Sequence, residues 1–162
     1  MTYVTDTSPV RALHCLGRVD LLGDLYELVF VPPAVVGELG RATRTSPAID
    51  VIQFPWLRIE APRDLSRVKH AWPDLDAGET EAIALALELN ATLLLIDERK
   101  GDRCARRLGL TTIGILGVLL EARRRSRVDA VLPLVDRLVA ELDFFVSPAL
   151  RREIALLADE TP

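Results

Sequence analysis

Leu75-Asp76-Ala77-Gly78-Glu79-Thr80-Glu81-Ala82-Ile83-Ala84-Leu85-Ala86 continues through Leu89, and Thr92-Leu93-Leu94-Leu95-Ile96-Asp97 follows almost at once. The first half has helical periodicity from Gly78 to about Leu89. The second half is a short apolar run, the mark of a buried parallel strand, and it stops on a carboxylate. Burying an unpaired charge costs several kcal/mol or more, so a strand of this kind ending on Asp97 needs a partner or a cation for the charge. A second instance stands near the N-terminus, where the strand signal Tyr3-Val4-Thr5 ends on Asp6.

Outward from this stretch, strands and helices alternate. Ser8-Pro9 is an N-cap and first-turn pair that predicts a helix to about Leu16, closed by Gly17. A short helix near Asp20 to Leu25 leads into the apolar run Leu28 to Val31, and Pro33 opens a helix carrying Val35, Val36, Glu38 and Leu39. Residues 44 to 73 predict a helix at Ser46 to Phe54, a strand at Trp56 to Ile59 and a Pro-punctuated segment. Beyond Asp97 the pattern predicts a helix at Gly101 to Leu108, a strand at Thr111 to Ile113 and a helix from Gly114 through Arg125. A helix from Val128 to Leu142, a strand Phe144 to Val146 and a helix from Pro148 to about Ala158 complete it. Alternation of this kind predicts an α/β protein with a central parallel sheet covered on both faces. Ligands of such sheets bind beyond the carboxyl ends of the strands, which puts Asp6 and Asp97 on one rim.

The 162 residues are expected to form one domain, 1–162, with a core large enough to need no disulfide. Cys15 and Cys104 have no CxxC spacing or neighbouring histidine and read as packing thiols of a reducing cytosol. No basic leader precedes an apolar core, and no apolar run approaches the roughly 20 residues of a membrane span. The expectation is a soluble cytoplasmic protein with no membrane partner. A net charge of −4 argues against nonspecific coating of nucleic acid, but not against an enzyme that gathers carboxylates around metal ions. GxSxG, GxGxxG and GxxxxGK[ST] are all missing, and His14 and His70 have no partner at metal spacing.

Helical arithmetic separates the acidic residues of the opening stretch. With Glu79 at the origin, Ala82, Ile83, Ala86 and Leu89 share its face, whereas Glu81 falls beside Glu88 on the other. Glu79 also stands three residues after Asp76, the spacing of a capping box. Glu38 lies at the edge of its helix's apolar stripe, and periodicity alone makes it a solvated glutamate. Behind Asp97, the charged run Glu98-Arg99-Lys100-Gly101-Asp102-Arg103 offers further carboxylates and cations placed to meet phosphates.

Five segments taken together, Val4 to Pro9, Val31 to Leu39, Leu75 to Ala86, Leu94 to Arg99 and Gly109 to Gly117, resemble PIN-domain proteins, in particular the VapC-type toxin ribonucleases. The resemblance implies a three-layer α/β/α sandwich, an acidic pocket binding Mg²⁺ or Mn²⁺, and endonucleolytic cleavage of RNA. Carried over by position, its catalytic and metal-binding carboxylates are Asp6, Glu38, Glu79 and Asp97. Ser8, Glu81, Glu98 and Asp102 are accessory candidates, and Arg99, Lys100 and Arg103 are candidate contacts to RNA phosphates. The position after Gly114, commonly Thr in that branch, is Ile115. The resemblance also implies a homodimer and a small antitoxin protein as partner. A second reading keeps the fold without catalysis, as a protein- or RNA-binding scaffold; a third is a generic α/β phosphoryl-transfer enzyme.

Overall fold

The computed structural model describes residues 1–162. Its centre is a sheet of five parallel strands, β1 (Tyr3–Thr5), β2 (Val29–Val31), β3 (Leu57–Ile59), β4 (Leu93–Leu95) and β5 (Thr112–Ile113), in the order β3-β2-β1-β4-β5. The chain lays down β1, β2 and β3 outward to one side, then returns to the other side of β1 for β4 and β5. The strand order therefore reverses between β1 and β4, whose register pairs Tyr3 with Leu93 and Thr5 with Leu95. That junction is where a parallel sheet opens a crevice beyond its strand ends.

Nine helices surround the sheet in a three-layer α/β/α arrangement: α1 (Thr7–Cys15), α2 (Asp20–Tyr26), α3 (Pro33–Leu39), α4 (Ser66–Ala71), α5 (Ala77–Glu88), α6 (Arg99–Arg107), α7 (Ile115–Arg124), α8 (Leu132–Leu142) and α9 (Pro148–Ala158). Helices α3, α4 and α6 pack around α5, and α2 and α9 pack on α7. Forty buried apolar side chains form one continuous cluster, so sheet and helices share a single core. Val4, Val29, Leu94 and Leu95 on the central strands are fully buried, as strands covered on both faces require.

Three expectations give way. Ser46 to Phe54 is not a helix: Ser46 is buried and joined to Thr43 and Arg11, and only a 3₁₀ turn at Val51–Gln53 forms, capped by Asp50. Pro55 follows directly and keeps Phe54 in extended backbone, so no helix continues through the segment. Phe144 to Val146 forms no strand, because it has no ladder partner, and the Phe144 amide donates to the Leu138 carbonyl at 3.3 Å. Ser8 is not the N-cap of α1; the helix begins at Thr7 and the flanking residue is Asp6.

Helices α3 and α5 cap each other. Glu81 on α5 accepts from the Ala34 amide in the first turn of α3 at 2.8 Å, and Glu38 on α3 accepts from the Gly78 amide in the first turn of α5 at 3.1 Å. Helix N-termini leave amides unsatisfied, and an acidic side chain there adds a favourable charge–dipole term. Loss of the Glu81 carboxylate strands the Ala34 amide in a half-buried contact. Glu81→Ala is expected to cost about 1–2 kcal/mol, read as a lower urea midpoint with the slope unchanged.

Candidate active site

The rim at the carboxyl ends of β1 and β4 holds the two aspartates side by side in the chain register. The Asp6 amide extends the ladder by donating to the Leu95 carbonyl at 2.9 Å, so Asp6 lies beside Ile96 and one step from Asp97. Asp6 is 3% exposed, and although it flanks α1 its side chain makes no capping hydrogen bond. Its Oδ1 is buried without a partner. Asp97 is half-buried; its Oδ1 accepts from the Ile115 amide at the start of α7 at 2.8 Å, and its Oδ2 is buried without a partner. A buried carboxylate oxygen with nothing to accept from is costly, and one stands at the end of each of the two adjoining strands.

Glu38 and Glu79 complete the rim in a different state. Glu38 is not the solvated glutamate its periodicity predicts. Its Oε1 takes the Gly78 amide and its Oε2 takes the Thr7 hydroxyl, so one carboxylate ties α1, α3 and α5 together beside Asp6. Glu79 is 6% exposed and forms the capping box its spacing predicts, with the Asp76 carboxylate accepting from its amide at 2.8 Å and its Oε2 accepting from the Asp76 amide at 3.1 Å. The other oxygen, Oε1, has no hydrogen-bond partner and faces Gly101 of α6.

The remaining candidates separate. Glu81 is engaged in capping α3 through the Ala34 amide. Asp102 is held by the Thr112 hydroxyl and by Arg106 Nε at 2.9 Å, which fastens α6 to β5. Glu98, Arg99, Lys100 and Arg103 are exposed. Ser8 lines an open groove of ≈ 550 Å³ together with Asp97, Glu98 and Arg99. Sequence reasoning missed Thr7, whose hydroxyl fixes Glu38, and Arg11, whose guanidinium donates to the Glu38 carbonyl at 2.7 Å and to the Arg41 carbonyl at 2.9 Å. Neither carries a signal in isolation, because both act through chain segments some thirty residues away.

Electrostatics follow burial. Desolvation lifts the Asp6 carboxyl from 3.8 to about 7; the Thr7 amide offsets part of this, and the nearby charges of Asp76, Glu38 and Glu79 add to it. Asp97 rises to about 6, again through desolvation, partly offset by the Ile115 amide and reinforced by Glu98. Burial raises Glu79 as well, with the Asp76 amide opposing. No three acidic, histidine or cysteine side chains stand close enough together to hold a metal ion among them. The rim is instead two open aspartates flanked by one half-open and one fully engaged glutamate. That set fits a hard divalent cation: the donors are all oxygens, Asp6 Oδ1 and Asp97 Oδ2 are buried without partners, and Mg²⁺ retains waters when only one or two carboxylates hold it.

A family model described as a PIN domain matches residues 2–160, and the chain belongs to that family. Curated proteins include no significant match to it. PIN-domain proteins are generally nucleases and typically use divalent metals.

The raised carboxyls have a thermodynamic consequence. Asp6 and Asp97 bind protons more tightly in the folded chain than at their ordinary 3.8, so the stability they contribute is complete below that value and is lost as pH rises through about 6 to 7. In EDTA the melting temperature is expected to fall between pH 5 and pH 8, and Asp6→Asn should flatten the fall. Millimolar Mn²⁺ at pH 8 should restore several degrees to the unmodified chain. Melting curves that stay level across pH 5–8 in EDTA would contradict the assignment.

Proposed function

We propose that the chain is a single-domain, metal-dependent endoribonuclease that cleaves RNA phosphodiester bonds at the Asp6–Asp97 rim. The observation that carries the reading is the pair of unpartnered buried oxygens, Asp6 Oδ1 and Asp97 Oδ2, at the ends of adjoining central strands. Asp6 and Asp97 are the proposed primary ligands of Mg²⁺ or Mn²⁺, with Glu79 Oε1 as the third donor and Glu38 as the catalytic-site carboxylate that holds the helices in place. When bound, such a cation activates a water and stabilises charge on the attacking and leaving oxygens.

The protein's own groups prepare that step. The Ile115 amide orients Asp97 through Oδ1, which leaves Oδ2 buried without a donor. The backbone thus supplies a polar contact that no side chain at position 115 can, since Ile115 is fully buried and apolar. Raised carboxyls make ligation compete with protons, so activity rises with pH through the same interval in which Asp6 and Asp97 ionise. Arg99, Lys100 and Arg103 make no ion pairs and are available to RNA phosphates along the exposed side of α6.

The wider role we infer is that of a VapC-like toxin in a toxin–antitoxin pair. It would act in the cytoplasm as a homodimer and be restrained by a small antitoxin protein. No helix of the chain is long and apolar enough to cross a membrane.

Asp6→Asn and Asp97→Asn are each expected to lower Mn²⁺-dependent cleavage of single-stranded RNA by on the order of 100-fold or more, with circular dichroism unchanged. Cleavage at the parental rate in both variants would end the proposal. No calorimetric Mn²⁺ binding at millimolar concentration, together with no RNA cleavage, would favour a scaffold of the same fold.

A further inference from the structure

The groove beside Asp97 contains a feature that metal chemistry does not use. It is lined by Leu142 at the end of α8 and by Asp143, Phe144 and Phe145 of the loop that follows, together with Ser8, Asp97, Glu98 and Arg99. Phe145 is 83% exposed, and it is the only exposed residue among the phenylalanines, tyrosines and tryptophans of the chain; the others are buried or half-buried. A single exposed apolar side chain ordinarily needs no explanation. Phe145 differs in its position, because the cavity it lines is also walled by a carboxylate of the catalytic rim.

Two further observations favour nucleic acid over a protein partner as the occupant of this groove. Arg99 lies in the same groove, exposed and without an ion pair, so a phosphate has a free cation within the cavity that holds the aromatic face. The loop is also held from behind. Phe144 is half-buried against the core and its amide donates to the Leu138 carbonyl, while Ser147 caps α9 through the Leu150 amide at 3.1 Å. Anchoring on both sides presents Phe145 to solvent on a fixed base. An aromatic face beside a cation and a cleavage site is the pattern of a stacking platform for unpaired bases.

We propose that Phe145 is a substrate-positioning residue: a base of single-stranded RNA adjoining the cleaved phosphodiester stacks on its ring, while Arg99 meets a neighbouring phosphate. This rests on the ribonuclease reading and adds a specificity to it, since a duplex cannot offer a base to the platform. Every base has a π-face, so the preference is for unpaired structure rather than for sequence.

The test uses the full chain and a fluorescein-labelled, hairpin-free oligoribonucleotide. Binding is followed by anisotropy in EDTA, and cleavage is followed separately in Mn²⁺. Phe145→Ala is expected to weaken binding by roughly 5- to 100-fold, to raise KM by a similar factor and to leave kcat unchanged. Phe145→Trp should restore both, and Phe145→Leu, apolar but unable to stack, should not. The same oligonucleotide annealed to its complement should bind no better to the parental chain than to Phe145→Ala. If Phe145→Ala binds and cleaves as the parental chain does, or if Phe145→Leu restores binding fully, the stacking role is overturned while the nuclease reading stands; the second result would point to an apolar surface for a protein. If the parental chain neither binds nor cleaves RNA, both readings fall together.

Discussion

Each carboxylate of the acidic rim rests against the beginning of a helix. Asp6 immediately precedes α1, Glu38 accepts from the first turn of α5, Glu79 belongs to the capping box of that same helix, and Asp97 accepts from the first amide of α7. Parallel topology produces this arrangement, because a right-handed crossover brings helix N-termini to the edge where strands end. The positive helix ends make an acidic rim tolerable, at about 0.3–1 kcal/mol each and up to about 2 in partly buried geometry. They do not make it comfortable. Raising Asp6 from 3.8 to about 7 corresponds to roughly 4 kcal/mol in favour of the protonated form, so desolvation prevails over the helix ends there.

This imbalance separates structural from reactive carboxylates within one constellation. Glu38 and Glu81 reach the amides of neighbouring helices and lock α3 to α5, each with its charge answered by a donor. Asp6 Oδ1 and Asp97 Oδ2 have no donor although they are buried. Their short side chains, fixed to strand ends, cannot swing to find one, whereas a glutamate on a helix has one more rotatable bond to do so. The rigidity of the sheet thus maintains an unmet demand for positive charge between β1 and β4.

Much of this was legible in the sequence, and the reasons differ by residue. Asp6 and Asp97 announce themselves because a strand is a local object and its last residue can be read directly. Glu79 is separated from Glu81 by helical phase, and its capping box by a three-residue spacing. Glu38 cannot be read that way: its partners, Thr7 and Gly78, lie in other elements, so its engagement is wholly tertiary. The strand expected at Phe144 to Val146 fails for a related reason. Apolar residues in an extended run make a strand only when a neighbour offers a ladder, and there the run became the loop that presents Phe145. Ser46 to Phe54 misled because Ser-Pro resembles a helix start, whereas Ser46 is spent on fastening the loop to Arg11 and Thr43.

The glycines hold information about the site that turn chemistry does not reveal. A β-carbon at Gly78 would stand 2.5 Å from Glu38 Oε1, and one at Gly114 would stand 2.6 Å from Asp97 Oδ1. Both are far inside contact distance, and neither position has the positive φ that usually explains a glycine. At Gly101 the same atom would meet Ile96 at 2.5 Å and Glu79 Oε1 at 3.2 Å. Each of these three carboxylates therefore faces a glycine, on α5, before α7 and on α6 respectively. The glycines are hollows left for the acidic side chains, and they permit the backbone amides to come close enough to donate. Read in this way, the Gly78-Glu79 and Gly114-Ile115 pairs define the acidic rim from its opposite wall: the glycine makes the space, and at Gly78 and Ile115 an amide fills one lone pair. Only Asp6 has no such hollow, and it is the carboxylate whose burial is deepest.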